Sequence, residues 1–175
     1  QMDFGAGLHA KSFAIDTQGR IVVVGGNRVV RFTATGSVDA TFGTNGVVVN
    51  DYVAHCHSVK IQADGRVVVV GRDDYRFRLT RYSSAGAVDA NWEYDAGGGS
   101  SSDWGRDVIL REDGDILLVG RGWASGYWNG SEYAAFSVVR VDTNGTQEAQ
   151  YWAGLGNDEF VHSALSLPDG KFLLI

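Results

Sequence analysis

The chain has 175 residues and a formal net charge of −6. An acidic chain argues against a broad phosphate-binding surface, so no nucleic acid partner is expected. The longest uninterrupted apolar runs are four or five residues, which predicts no membrane insertion, and the single Cys56 permits no internal disulfide.

In chain order, the strongest pattern is a block of about fifty residues that recurs three times in full and twice in part. Each copy contains a polar Gly turn; the turns lie at 18–20, 64–66, 113–115 and 169–171. Directly after each turn comes an apolar run, which reads IVVVG, VVVVG, ILLVG or FLLI. Self-similarity at this period predicts a repeat architecture, and runs that are apolar on both faces predict strands buried on both sides.

Each full copy continues with a strand that carries Arg31, Arg81 or Arg140 and then with another Gly turn. A fourth segment follows, SVDATFG in the first copy and AVDANWE in the second, and is predicted as a further strand. No window shows helical periodicity. Four short antiparallel strands per copy predict an all-β fold, a β-propeller with about three full blades and partial blades at both ends.

The repeat also sets the predicted boundaries. Residues 1–8 are expected to end a preceding blade, and residues 158–175 to begin a further one. Between them lie blades at 9–53, 54–102 and 103–157, the last with a long insertion at 121–135. Because the chain stops inside an apolar run, we expect it to be a piece of a larger propeller. Open blade edges allow further blades or a homo-oligomer.

The segments IQADGRVVVVG, GSVDATFGTNG and SLPDGKFLLI resemble the delta-60 repeat, a bacterial β-propeller repeat whose copies follow roughly A-L-Q-P-D-G-K-I-V-V-A-G, F-x-L-x-R-Y and D-G-x-x-D-x-x-F-G. The resemblance extends almost end to end. The third copy departs most, with Glu148, and with Tyr151 where the others have Phe42 or Trp92. The family implies a propeller and an extracellular or cell-surface location, without a settled activity.

The insertion in the third copy is the first candidate site. It is predicted as a loop, and its Gly-, Ser- and Asn-rich sequence concentrates four aromatic residues: Trp123, Tyr127, Trp128 and Tyr133. Loops that lengthen on a rigid scaffold often carry binding sites, and flat aromatic faces suit sugar rings or peptides. The alternative is that these aromatic residues are buried against the neighbouring blade.

A second candidate site lies where each first strand begins, since the innermost strands of a propeller line its central channel. The residue nine positions before the last residue of each turn is basic; these residues are Lys11, His57, Arg106 and His162. Two residues earlier in the full copies are His9, His55 and Trp104. These groups are predicted to gather at one mouth of the channel, with His57 and Arg106 as a site for an anion or a carboxylate-bearing ligand. Alternatively they hydrate or pair with Asp51, Asp103 or Asp107.

Other recurrent groups are interpreted as structural. Arg31, Arg81 and Arg140 recur together with Asp39, Asp89 and Glu148, and a contact repeated in every copy is expected to hold the repeat rather than to catalyse a reaction. His55 and His57 share a strand face that Cys56 does not, so no metal site is expected. No cofactor motif is present, and none is expected.

These patterns predict a non-enzymatic binding or display scaffold within a larger secreted or surface-associated bacterial protein, with a glycan or protein partner. The alternatives are a hydrolase or lyase with its site in the central channel, and a structural module that assembles through open blade edges.

Overall fold

A computed structural model describes residues 9–73, 76–94, 104–128, 131–153, 161–168 and 171–175. Within these ranges the chain forms strands and turns and no helix, as the sequence predicts. The strands are β1 Ser12–Ile15, β2 Ile21–Gly25, β3 Arg28–Phe32, β4 Val47–Val49, β5 His55–Ile61, β6 Val67–Asp73, β7 Arg76–Tyr82, β8 Val88–Tyr94, β9 Trp104–Leu110, β10 Ile116–Trp128, β11 Ser131–Val141, β12 Gln147–Ala153, β13 Ala164–Ser166 and β14 Phe172–Leu174. None of the described segments forms an apolar helix of membrane-spanning length.

The strands form four sheets in sequence order. The first sheet is β1 to β4, the second β5 to β8 and the third β9 to β12, and each is an antiparallel meander; the fourth consists of the hairpin β13–β14. Each full repeat therefore builds one four-stranded sheet. Asp16 and Gly19 illustrate the turn between the first two strands: the Asp16 carboxylate accepts the N–H of Arg20, and Gly19 has a φ of 75°, which glycine adopts without strain.

The prediction that SVDATFG forms the fourth strand of the first copy is wrong. SVDATFG forms turns there, and β4 lies further along, at Val47–Val49. The segment that follows explains the difference, because Gly43, Asn45 and Gly46 all have positive φ and reverse the chain before β4. The second copy has Glu93 and Tyr94 where the first has Gly43 and Thr44, and its AVDANWE segment continues as strand β8.

The apolar second strands join neighbouring sheets. In β6, Val67 and Val69 lie in a core shared with the first sheet, and Val68 and Val70 lie in a core shared with the third sheet. All four side chains are at most 1% exposed. Alternate residues of a strand point to opposite faces, so an unbroken valine run is required to bury both faces of a sheet that has a neighbour on each side.

The first strands of the sheets lie beside one another, β1 against β5, β5 against β9 and β9 against β13. A cavity of about 340 Å³ opens between them and is lined by residues of all four strands, among them Ala14, Lys60, Ile109 and Leu165. The contacts between these adjacent first strands also bring their beginnings near one another.

The insertion of the third copy is not a loop over its described backbone. β10 and β11 extend beyond the neighbouring strands as a paired hairpin, with Trp123 opposite Ala134 and Ala124 opposite Tyr133. The interpretation of this segment as a loop is therefore wrong, since its backbone groups pair with each other.

Candidate functional site

Two predicted site residues occupy β-bulges. In the second sheet His55 pairs with Arg72 and Cys56 with Gly71, but the next pair is Ser58 with Val70, so His57 is an extra residue on β5. In the third sheet the pairs Gly105 with Gly120 and Asp107 with Val119 leave Arg106 as the extra residue on β9. A bulge changes the direction of a side chain relative to the regular alternation of a strand.

Backbone hydrogen bonds extend this pattern to the first and fourth sheets. The N–H groups of His162 and Ser163 both donate to the carbonyl of Ile175, at 2.6 and 3.1 Å, and two successive donors on one acceptor are typical of a bulge. Lys11 N–H donates to the carbonyl of Val24 at 2.8 Å, and the strand partner of Val24 is Ser12. The basic residue of every copy therefore lies at an equivalent irregular position.

The glycines that end the second strands permit this geometry. A Cβ at Gly25, Gly71 or Gly120 would lie 2.2, 2.1 or 2.0 Å from the carbonyl oxygen of His9, His55 or Trp104, respectively. No side chain fits at such a distance. A strand Gly that marks a close backbone approach is thus the sequence signal for each bulge.

His57 lies half-buried among cationic groups. Burial, followed by the charge of Arg106 and then those of Arg72, His55 and Lys11, lowers the pKa of His57 to about 4. Its Nε2 atom is buried without a hydrogen-bond partner. The neutral imidazole therefore holds an unused polar atom inside a positively charged environment.

Arg106 and Arg72 contact the same aromatic ring. Their Cζ atoms lie 4.9 and 4.7 Å from the ring centroid of Trp104. Burial first, and then the charges of Arg72 and Arg121, lower the pKa of Arg106. In the part of the chain that the structure describes, Arg106 forms no ion pair with a carboxylate. Contact with an aromatic face orients a guanidinium without neutralising its charge.

We refer to Lys11, His55, His57, Arg72, Arg106 and Arg121 as the basic cluster. Sequence reasoning missed Arg72 and Arg121, which directly follow the strand-ending glycines of the second and third copies. The recurring Gly-Arg step was the available signal. His9 and His162 are exposed and precede β1 and β13.

The neighbouring acid Asp107 joins sheets rather than neutralising these cations. It is buried, and it accepts hydrogen bonds from Ser58 Oγ at 2.6 Å, Ser163 Oγ at 2.9 Å and the N–H of Ala164 at 2.9 Å. These contacts join the second, third and fourth sheets. Asp51 is exposed, and Asp103 lies outside the described residues.

The aromatic residues of the insertion lie along the extended hairpin. Trp123, Tyr127 and Trp128 are on β10 and Tyr133 is on β11; their side chains lie outside the described part of the structure. Their role in ligand binding stays a prediction.

The recurrent Arg and acid residues pair with each other, as predicted. Arg31 Nε bonds Asp39 at 2.8 Å and Arg81 Nε bonds Asp89 at 2.6 Å. Each guanidinium also donates to a turn carbonyl of the following sheet, Arg31 to Ser84 and Arg81 to Thr143. In the third copy Arg140 contacts both Glu148 and Asp115. The carbonyl contacts of Arg31 and Arg81 join neighbouring sheets, whereas these contacts of Arg140 lie within the third copy.

No cluster of three or more His, Cys, Asp or Glu side chains able to hold a metal ion occurs among the described residues. Cys56 is buried, and burial raises the pKa of its thiol to about 12. The thiol is therefore protonated near neutral pH, and its reactivity as a nucleophile is low.

Comparison with known proteins supports the propeller fold. A family model described as a domain of unknown function (DUF5122) beta-propeller matches residues 19–42 and 62–91. These ranges include β2, β3, β6 and β7 and recur at the repeat period. The chain thus has a β-propeller fold, and its sheets do not close into a ring within the described residues. The name delta-60 repeat stays a prediction. No curated protein matches the chain.

Among solved structures, a protein of unknown function from Bacteroides caccae matches with a TM-score of 0.64 and 14% identity, over 99% of this chain and 55% of that one. The chain thus spans about half the length of that protein. A gluconolactonase from Xanthomonas campestris gives a TM-score of 0.47 at 13% identity, over 95% of this chain and 69% of that one. A catalytically inactive virginiamycin B lyase from Staphylococcus aureus gives 0.37 at 11%, over 93% and 75%. The last two similarities are too low to bear on function.

Proposed function

We propose that this chain is a non-enzymatic binding module of a larger secreted or surface-associated bacterial protein, and that its basic cluster recognises a carboxylate-bearing glycan. One observation carries the proposal: Arg106 lies at a β-bulge, half-buried, against Trp104 and beside other cationic groups, and has no carboxylate partner among the described residues. A half-buried guanidinium beside further cationic groups favours the binding of an anion.

The chemistry of the cluster suits a carboxylate. A guanidinium presents N–H donors in a planar fork that matches the two oxygens of a carboxylate. The Arg106 Cζ atom lies over the Trp104 ring, a contact that orients the guanidinium and leaves it charged.

The aromatic hairpin that adjoins the basic cluster favours a glycan over a protein ligand. Arg121 begins the extended part of β10, and the same strand continues to Trp123 two residues later. The hairpin that carries the four insertion aromatics therefore begins at the basic cluster. Aromatic residues next to arginines suit an acidic sugar, which has both apolar ring faces and carboxylates.

The proposal is tested by calorimetric titration with an oligogalacturonate, compared with its fully methyl-esterified form. The charged oligomer is expected to bind, and Arg106→Gln to weaken its binding by about tenfold or more. Arg66→Gln is the matched control, because Arg66 is exposed and pairs with Asp64. Equal binding of the ester and the acid would contradict a carboxylate site. Equal binding of an oligoglutamate would retain the carboxylate site and exclude glycan specificity.

A second candidate is a lyase that acts on the same ligand. His57 is neutral near pH 7 because burial, together with Arg106, lowers its pKa to about 4. In this reaction the neutral imidazole takes the proton on the carbon next to the uronate carboxylate, the electron pair of that C–H bond forms a C=C bond to the neighbouring carbon, and the glycosidic oxygen on that carbon leaves and takes a proton from water. Ultraviolet absorbance of an unsaturated product, lost in His57→Ala, would support the lyase. Binding without such a product would support the binding module.

A further inference from the structure

The first and second sheets each carry an arginine opposite the glycine that ends their second strand. Arg28 lies opposite Gly25, and Arg78 lies opposite Gly71. The third sheet has Ser137 at the equivalent position, where the side chain is fully buried. The fold therefore does not require an arginine at this position.

The two arginines differ in the carboxylates around them. Arg78 pairs with Asp73 at 2.7 Å and also with Glu93. Glu93 lies directly opposite Arg78 on the fourth strand of its sheet, whereas the residue opposite Arg28 is Val49. In addition, β6 continues two residues beyond its glycine to reach Asp73, whereas β2 ends at the glycine itself. The first sheet therefore lacks the two acids that neutralise the equivalent arginine of the second sheet.

Arg28 has no polar partner in the part of the chain that the structure describes. Its side chain forms neither a hydrogen bond nor an ion pair there, and its Nε atom is buried. A guanidinium that is partly withdrawn from water loses hydration, and a counter-ion or an acceptor is needed to offset that loss. Because the fold accepts a serine at this position, the unpaired charge indicates a ligand.

A groove of about 460 Å³ adjoins this arginine. It is lined by Arg28, by the three valines 47–49 of β4, and by Gly43, Thr44 and Gly86. Gly86 belongs to the turn before β8 of the second sheet, so the groove lies where the first two sheets meet. The groove thus combines one cationic side chain with a short aliphatic wall.

We propose that this groove binds a small aliphatic carboxylate, with the carboxylate on Arg28 and the aliphatic part against the valines of β4. A guanidinium presents two parallel N–H donors to a carboxylate, and contact with valine side chains removes the apolar part of the ligand from water. The ligand would supply the carboxylate that Glu93 supplies to Arg78 in the second sheet. None of the groove residues belongs to the basic cluster, so this site is independent of the proposed function.

The test is an NMR titration of the isotope-labelled chain with hexanoate. We expect saturable shifts of the Arg28 Nε–H signal and of the backbone N–H signals of residues 47–49. Hexanamide, which has the same chain without the charge, should bind at least about tenfold more weakly, and Arg28→Gln should weaken hexanoate binding by a similar factor. Arg106→Gln alters the basic cluster and should leave the shifts in the groove unchanged.

Two variants at Val49 separate the effect of charge from that of shape. Val49 is 48% exposed and lies opposite Arg28, so Val49→Glu places a carboxylate where it can pair with the guanidinium. Val49→Gln has nearly the same shape without the charge and should bind hexanoate at least about tenfold more tightly than Val49→Glu. The dispersion of the N–H signals shows whether each variant is folded. A wild-type chain without saturable shifts in the groove, equal binding of hexanamide, or folded Val49→Glu and Val49→Gln variants with equal affinity would each overturn the proposal.

Discussion

Acidification is expected to destabilise this fold through His57. In the folded chain, burial and the neighbouring cations lower the pKa of this imidazole from 6.5 to about 4. Between these two values the unfolded chain binds a proton that the folded chain does not. Stability therefore falls as the pH drops below about 6.5, and this loss is complete only below about pH 4.

The size of the effect follows from the shift. A change in pKa from 6.5 to about 4 corresponds to roughly 3 kcal/mol over the whole range. Because His57 is only half-buried, solvent screening reduces this value, and we expect a loss of about 1 to 2 kcal/mol between about pH 7 and pH 5. The carboxylates act in a different range: hydrogen bonds, first of all from the Thr41 hydroxyl, lower the pKa of Asp39 below 3.8, so its contribution is lost only in stronger acid.

Urea unfolding at several pH values measures this dependence. The free energy of unfolding of the wild-type chain should fall with pH in the stated range, and His57→Gln should remove most of the slope. His55→Gln is the matched control, since His55 is an exposed residue on the same strand. A slope that is unchanged in His57→Gln, or one equally reduced in His55→Gln, would refute the assignment of the effect to His57.

Two further substitutions test the contacts that support the site. Asp107→Ala leaves the buried donors of Ser58 and Ala164 without an acceptor and should cost about 2 to 4 kcal/mol in unfolding free energy, measured by urea titration. The control is Asp113→Ala, which should cost much less in the same titration because Asp113 is exposed. Equal losses would show that the sheets are not joined through Asp107. Gly71→Ala places a Cβ 2.1 Å from the His55 carbonyl oxygen and should lower the unfolding free energy by more than about 2 kcal/mol. Gly36→Ala, at a residue with φ 83° and no atom within 4 Å of the added Cβ, should lower it by only about 1 kcal/mol. Differential scanning calorimetry compares the two variants, and the reverse order would contradict the bulge geometry.

The repeated elements could be predicted because the same physical requirement recurs in each copy. A valine run such as VVVVG has one explanation, a strand that is covered on both sides, and the structure confirms it at Val67 to Val70. The pairing of Arg31 with Asp39 and of Arg81 with Asp89 followed from the same reasoning, since a charge pair repeated at a fixed spacing is expected to make one repeated contact.

The differences between copies could not be predicted from the alignment. The first copy replaces a continuing fourth strand by a turn because Gly43 and Gly46 allow positive φ, whereas the alignment of Asp39 with Asp89 suggested equal structures. The hairpin of β10 and β11 was missed for another reason: Gly, Ser and Asn between aromatic residues indicate a loop unless the pairing partner is known. Pairing is a long-range property, and local composition does not contain it.

The bulges explain why a repeat scaffold can hold a binding site at this position. The residues of the first strands that pair regularly with the adjacent strand have structural roles. Ser58 and Asp107 join sheets, and Val59 and Val108 fill the cores. The bulged residue is released from both roles, because it has no partner on the adjacent strand. Its identity can therefore vary among Lys11, His57, Arg106 and His162 without loss of the fold, yet all four are basic or imidazole side chains. The fold does not require that shared chemistry, and for Lys11, His57 and Arg106, which belong to the basic cluster, it agrees with the proposed ligand site.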